Sequence, residues 1–266
     1  MVTNMVCKIV AGVLLAIIFP VLSQAQNNVE YHILNKYRNW GVVVGPVLFN
    51  KASIVPQYGD YSFVNKQTLG YNFGVEYNFN QSRKWSFTTG LIVSKEPIYN
   101  LQFTIRKVDL YPGHENDLTE RVKLNAINSF SSPLLLRLNI QASKKLFINA
   151  TTGLKIMYFP SGSADMTITI SNGDDTESRQ VFGLKLESPE NSFQGSFVIG
   201  AGLSYALEKV LLKANFIYVM NFQNTISGEY QFGNLFTSQN TRGYYDLSGN
   251  YLGLQFSVSL KKSKGK

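Results

Sequence analysis

A chain of 266 residues with one cysteine, two histidines and a formal charge of +8 is long enough for one β-domain, but it offers no disulfide framework and no cysteine-ligated metal site. Beyond the N-terminal segment no run comes near the roughly 18 consecutive apolar residues of a spanning helix, which leaves an exported soluble β-protein or an outer-membrane barrel. The basic excess forms no nucleic-acid stripe. It gathers at Arg83, Lys84, Lys144, Lys145, Lys209 and the tail residues Lys261, Lys262, Lys264 and Lys266, offset there only by Glu208.

The N-terminus reads as a secretory signal. Lys8 precedes an apolar run from Ile9 to Phe19, then Pro20 and the small-residue site Ser23-Gln24-Ala25. We take residues 1–25 as a cleaved signal peptide, 26–38 as a short periplasmic segment, 39–261 as the folded domain and 262–266 as a basic tail. Cys7 lies ahead of the apolar run, so it is not the acylated cysteine of a lipoprotein. The signal implies export, and together with the strand pattern that follows it sets the expected destination as the outer membrane of a Gram-negative bacterium.

Period-two alternation then recurs. The segment 40–49 is the least regular, because Val43 and Val47 share the inner face with Gly41 and Gly45. In 69–79, Leu69, Tyr71, Phe73, Val75, Tyr77 and Phe79 oppose Gly70, Asn72, Gly74, Glu76 and Asn78. The same division holds in 85–94, 130–141, 146–158, 196–205 and 210–218. It is clearest in 251–260, where Leu252, Leu254, Phe256, Val258 and Leu260 oppose glycine, serine and glutamine. Eight strands with one apolar and one small or polar face suit lipid outside and a polar lumen inside.

Connection lengths alternate. Residues 81–84, 142–145 and 207–209 are tight turns, whereas about 50–68, 95–129, 159–195 and 219–249 are long and polar. Short turns on the periplasmic side and long extracellular loops are the outer-membrane pattern. The fold class is therefore all-β: an eight-stranded antiparallel up-and-down transmembrane β-barrel with long extracellular loops and hairpins. Leu101–Val108 with Arg121–Ala126 around Pro112-Gly113, and Met166–Ile170 with Gln180–Leu186 around Asn172-Gly173, read as hairpins of an extracellular rim. Trp85, Tyr77, Phe79 and Tyr205 beside the tight turns, and Tyr71, Phe130, Tyr158 and Tyr218 near the long loops, outline two aromatic girdles. A β-sandwich is the alternative, although it does not demand alternating turn lengths.

Phe130-Ser-Ser-Pro-Leu-Leu-Leu-Arg137 resembles the aromatic-x-x-Pro-Leu-Leu-Leu-Lys/Arg strand of the PorT-like outer-membrane β-barrel family. Gly200-Ala-Gly202, Tyr218–Ile226 and the last strand follow in that family's order, so the resemblance spans about residues 39–261. Ser131-Ser132 replaces the family's frequent Glu-Ile, and a lysine-rich end replaces its terminal aromatic. The resemblance implies a barrel and, for one member type, a part in type IX secretion.

Four charges fall on the lumenal face: Glu76, Arg137, Lys155 and Lys213. They form either a structural salt-bridge network or an ion path, in a lumen that eight strands make just wide enough for side chains. The last long loop carries Tyr230, Phe232, Phe236, Tyr244 and Tyr245, which either contact a partner or cap the barrel mouth. His32 and His114 are far apart and lack a paired acidic motif, so we assign no catalytic set, no metal and no cofactor. A lipid-modifying enzyme centred on His114 is the weakest alternative. Asp174, Asp175, Glu177, Glu187 and Glu190 make acidic loops without the spaced ligands of a calcium site. The expected protein is a monomeric barrel of structural or interaction type, with outer-membrane lipids and lipopolysaccharide around it and a protein partner at its loops. A narrow channel is the runner-up.

Overall fold

In a computed structural model, the structure describes residues 31–96, 99–111, 114–124, 127–171, 177–189 and 192–263. The signal segment, both expected hairpin turns, Asp174, Asp175, Glu190, Lys264 and Lys266 lie outside the described residues.

A 3-10 helix over Tyr31–Lys36 leads into the strands. In chain order these are β1 (Trp40–Phe49), β2 (Ser53–Tyr58), β3 (Val64–Asn65), β4 (Thr68–Phe79), β5 (Trp85–Glu96), β6 (Tyr99–Ile105), β7 (Leu118–Leu124) and β8 (Ile127–Gln141). There follow β9 (Leu146–Tyr158), β10 (Ser163–Ser171), β11 (Ser178–Glu187), β12 (Phe193–Ala206), β13 (Val210–Asn221), β14 (Ile226–Phe232), β15 (Thr241–Leu247) and β16 (Tyr251–Leu260).

Eight of them close an antiparallel barrel in the order β1-β16-β13-β12-β9-β8-β5-β4. The strands neighbour one another in sequence order, and β1 pairs with β16 to seal the cylinder, as at Val44 opposite Phe256. Closure leaves no free edge, so every strand is hydrogen-bonded on both sides. The eight segments of sequence alternation are these eight strands.

Alternation places the side chains. Along β4 the outward residues Tyr71, Phe73, Val75, Tyr77 and Phe79 are exposed, while Asn72, Gly74, Glu76 and Asn78 are buried. In β16 Leu252, Leu254, Phe256, Val258 and Leu260 are exposed and Ser257 and Ser259 are buried. A wall with apolar side chains outward and polar ones inward inverts the order of a soluble core and suits lipid surroundings. Tyr77, Phe79, Trp85 and Tyr205 ring the outer surface at the short-turn end, and Tyr71, Phe130 and Tyr158 ring it at the other, joined there by Phe193.

At the long-loop end the ladders do not stop at the barrel rim. Between β9 and β12 the pairing continues through Phe159 N–H to Ser192 O (2.7 Å) and Ser188 N–H to Gly162 O (3.0 Å) into the β10–β11 hairpin. The β5–β8 ladder runs on as the β6–β7 hairpin, and β13–β16 as β14–β15. The two hairpins read from sequence are present, with Leu101 opposite Val122 and Met166 opposite Leu184.

These extensions fold together. A five-stranded sheet, β10-β11-β14-β15-β2, and a three-stranded sheet, β3-β6-β7, share one hydrophobic core. Leu101, Phe103 and Ile105 of β6 meet Phe182, Leu184 and Leu186 of β11, with Tyr230 and Phe232 of β14 and Tyr245 of β15. Rings pack at 4.5 Å (Phe103–Phe182), 4.6 Å (Phe63–Tyr230) and 5.0 Å (Phe182–Phe232), spacings at which aromatic pairs add stabilisation beyond their buried area. The expectation was a rim of separate hairpins. The structure instead builds a two-layered module with its own core, because three strands left as loop in the sequence reading (β2, β14 and β15) complete the larger sheet.

Candidate functional site

The lumen is filled in layers. At the short-turn end, Leu34 and Tyr37 of the N-terminal segment sit in a cluster with Phe147, Ala206 and Leu211. Backbone bonds hold the segment there, from Arg38 N–H to Leu260 O (2.7 Å) and from Lys262 N–H to Lys36 O (2.8 Å), together with Gln81 Nε2 donating to Leu34 O (2.9 Å). Of the segment expected to be periplasmic, residues 26–38, the described part from Tyr31 onward thus contributes Leu34 and Tyr37 to the barrel floor.

The charged layer lies above. Glu76 faces glycine on both sides, Gly41 on β1 and Gly90 on β5. A Cβ at Gly90 would come within 2.2 Å of Val75 O, so the close approach of the β4 backbone leaves no room for a side chain at that position. Its Oε1 lies 3.0 Å from Lys213 Nζ and accepts from Ser257 Oγ (2.7 Å) and Asn78 Nδ2 (3.2 Å). Arg137 Nη2 stands 4.0 Å from Oε2, and its Nη1 donates to Asn78 Oδ1 (3.1 Å). Three of the four lumenal charges named from sequence therefore form one cluster, with a single carboxylate between two cations.

Lys155 belongs to a different layer. Its Nζ donates to Tyr251 OH (3.4 Å) and lies 4.9 Å from that ring's centre, while Asn72 Nδ2 donates to the same hydroxyl (3.3 Å). A second buried carboxyl, Glu96 of β5, lies within electrostatic reach of Lys155 and accepts from Ser129 Oγ at 2.5 Å. Glu96 continues the inward parity of Ser94, two residues beyond the alternating run 85–94. An apolar group, Val47, Phe49, Val198, Ile217, Val219 and Tyr251, fills the same upper part. This explains the irregular inner face of β1: Val43, Val47 and Phe49 point inward as packing.

The five loop aromatics separate by burial. Tyr230, Phe232 and Tyr245 are core residues of the module, each at most 1% exposed, and they share their cluster with Met157 of barrel strand β9, so they face the barrel mouth as packing and leave no open surface for a partner. Phe236 and Tyr244 are exposed. Tyr244 OH accepts from Gln57 Nε2 (2.9 Å), and Arg179 stacks over Phe236 at 4.4 Å.

A second polar centre, Asp109, was not anticipated. It follows β6 in a short 3-10 turn, Lys107–Asp109, and is fully buried. Oδ1 accepts from Thr237 N–H (3.0 Å), Thr237 Oγ1 (2.6 Å) and Ser238 N–H (2.7 Å), and Oδ2 from Tyr61 OH (2.5 Å) and Ser238 Oγ (2.7 Å). Arg106 completes the set at 3.3 Å. Burial alone raises the pKa of this carboxyl, but the hydrogen bonds from Thr237, Tyr61 and Ser238 outweigh it and hold Asp109 well below the usual carboxylate range. Burial and the Asp109 carboxylate push the Tyr61 phenol up. One side chain thus ties three long connections together. No spacing rule marks it, since apart from Arg106 its partners lie 48 to 129 residues away.

His114 is exposed, with its N–H bonded to Tyr111 O (3.2 Å), and the His32 side chain lies outside the described residues. No group of three or more His, Cys, Asp or Glu converges among the described residues. Two open hollows mark the module surface. One of about 390 Å³ lies beside Asp60, Gln102 and Arg106, and one of about 360 Å³ lies over Gly183 between Asp165, Lys185 and Gln231.

A family model described as outer membrane protein beta-barrel domain matches residues 24–227. No curated protein matches the chain. Among solved structures it is similar to the outer membrane protein OprG from Pseudomonas aeruginosa, at 14% identity over 85% of this chain and 98% of that one, with a TM-score of 0.43. It is also similar to the N-terminal beta-barrel domain of Pseudomonas aeruginosa OprF (10% identity, 85% and 99% covered, TM-score 0.35). A third is Neisserial surface protein A (12% identity, 84% and 97% covered, TM-score 0.34).

Proposed function

Because this chain belongs to the outer membrane protein beta-barrel domain family, we propose that it is a non-enzymatic structural and interaction protein whose barrel anchors a partner-binding module outside the outer membrane. Within the family we place it with the PorT-like barrels, on the strand Phe130–Arg137 and the order of the motifs that follow. In this reading a signal peptide over residues 1–25 is cleaved on export from the cytoplasm of a Gram-negative cell. The barrel then stands as a monomer among outer-membrane lipids and lipopolysaccharide.

The observation that carries the proposal is the filled lumen. The Leu34–Tyr37 floor, the Glu76–Lys213–Arg137 cluster and the apolar group around Val47 and Tyr251 succeed one another along the axis. A barrel packed in this way supports something outside the membrane in preference to carrying something through it. Planar-bilayer recording of the refolded protein tests this. The expected trace is silent, and reproducible single-channel steps from folded protein would overturn the closed-lumen reading in favour of a narrow channel.

A further inference from the structure

The five-stranded sheet has two edges, and they are built differently. Edge strand β2 is six residues long, contains Pro56 and has a register irregularity at Arg242/Gly243 of its neighbour β15. Short length, proline and broken register are the usual guards against further strand pairing. The opposite edge, β10, runs for nine residues, Ser163-Ala-Asp-Met-Thr-Ile-Thr-Ile-Ser171, without proline, lysine or arginine. Its one irregularity falls at Ile168/Thr169 on the β11 side, so Ser163–Ile168 is a regular ladder. Among the described residues no further strand pairs with it. On its core-facing side, Ile168 and Ile170 pack against the module core but remain only partly buried. An added strand would cover them.

The outer face of the same sheet shows what that strand would carry. Asp165 stands opposite Lys185, and Lys185 opposite Glu229, so one cross-strand row reads minus, plus, minus from β10 to β14. Continuing the row past Asp165 calls for a cation.

We infer that the open edge of β10 accepts an extended segment of a protein partner, paired antiparallel, with apolar residues beside Ile168 and Ile170 and a lysine or arginine beside Asp165. This rests on the interaction reading above. A second copy in the same membrane does not fit. The β10–β11 hairpin continues the barrel ladder away from the membrane, and the twofold axis relating two antiparallel β10 strands would turn the second barrel upside down. Strand addition of this kind takes its affinity from main-chain hydrogen bonds and its selectivity from alternate side chains.

The chain supplies its own probe. A free peptide of the β11 sequence Ser178–Glu187 carries a lysine in register with Asp165 and leucines on the core side. Fluorescence anisotropy on the folded full-length protein in detergent should show saturable binding. Of two peptides N-methylated on alternate residues, one phase should abolish binding and the other retain it. Exchanging the peptide lysine for glutamate should weaken binding roughly two- to fivefold, the size of an opposite-charge cross-strand pair, and Asp165→Lys should reverse that preference. Retained heat-modifiable migration of the variant shows that the barrel is folded. Absence of saturable binding, or binding indifferent to both N-methylation phases and both charge exchanges, overturns the inference. A concentration-dependent dimer in detergent that Thr167→Lys dissolves would put a second copy in place of the peptide and overturn the occupant. A conducting barrel would sink the closed-lumen reading alone, whereas a silent barrel without peptide binding sinks only the edge.

Discussion

The barrel and the module above it solve opposite packing problems with the same alternating strands. In β4 the large apolar residues face out and glycine, asparagine and glutamate face in; in β14 Tyr230 and Phe232 face in while Glu229 and Gln231 face out. The difference lies in the medium on the far side of the sheet. Lipid accepts the apolar face of the barrel and leaves its polar groups to satisfy one another inside, whereas water drives the apolar face of the module into a shared core. Charge follows the same division. The barrel buries its ions as a cluster, Glu76 with Lys213 and Arg137, while the module keeps Glu229 and Arg242 paired at its surface and buries Asp109 only under a full set of donors.

This contrast can be broken at three points. The largest effect is expected from Phe232→Ala, which empties the centre of the aromatic core where Tyr61, Phe103 and Phe182 converge. It should cost the module about 3–5 kcal/mol, while Phe256→Ala on the barrel exterior removes only lipid contact. Limited proteolysis should then clip the module of the Phe232 variant and leave both barrels heat-modifiable. Loss of the barrel together with the module would mean that the two regions fold as one.

Next comes Glu76→Gln, which strands two buried cations. Removing one partner from a buried ion cluster costs about 3 kcal/mol or more, and urea unfolding in detergent micelles reads it as a lower midpoint. The module should keep its protease resistance in this variant, the reverse of the Phe232 result.

The smallest effect belongs to Asp109→Asn, which weakens the charge-assisted bonds from Tyr61, Thr237 and Ser238 by about 1.5–3 kcal/mol in total. It carries a pH signature. The folded carboxyl is held below its ordinary value of 3.8, so its contribution is complete above that value and drains away as the pH falls below about 4. Amide hydrogen exchange in the module should therefore speed up as the pH falls below about 4, beyond its intrinsic pH dependence in the natural protein, and Asp109→Asn should remove that excess. An unchanged excess in the variant would show that another group sets it.

Much of the barrel was legible in the chain because its signals are local. A strand that separates lipid from lumen must alternate along its whole length, and a turn that stays on one side can be short, so 69–79, 81–84 and 251–260 announce themselves residue by residue. The lumenal charges were legible for the same reason, since Glu76, Arg137, Lys155 and Lys213 interrupt polar faces. Their pairing was not. Lys213 is 137 residues from Glu76, and Lys155 turned out to share the upper lumen with Tyr251 and Glu96. The strands β14 and β15 do alternate, at Ile226–Phe232 and Thr241–Leu247, yet alternation in a loop does not say which face is covered.

By itself, then, the sequence determined the barrel strands, their facing and their up-and-down order, since each follows from neighbours one or two residues apart and from the need to satisfy every backbone group in lipid. Only the tertiary structure decided what those strands meet. It seated Leu34 and Tyr37 in the barrel floor, joined four loop excursions around Phe182 and Phe232, and tied three of them on Asp109. Contacts between residues distant in the chain come from closure and burial, and no local pattern encodes which of many compatible apolar faces will find one another.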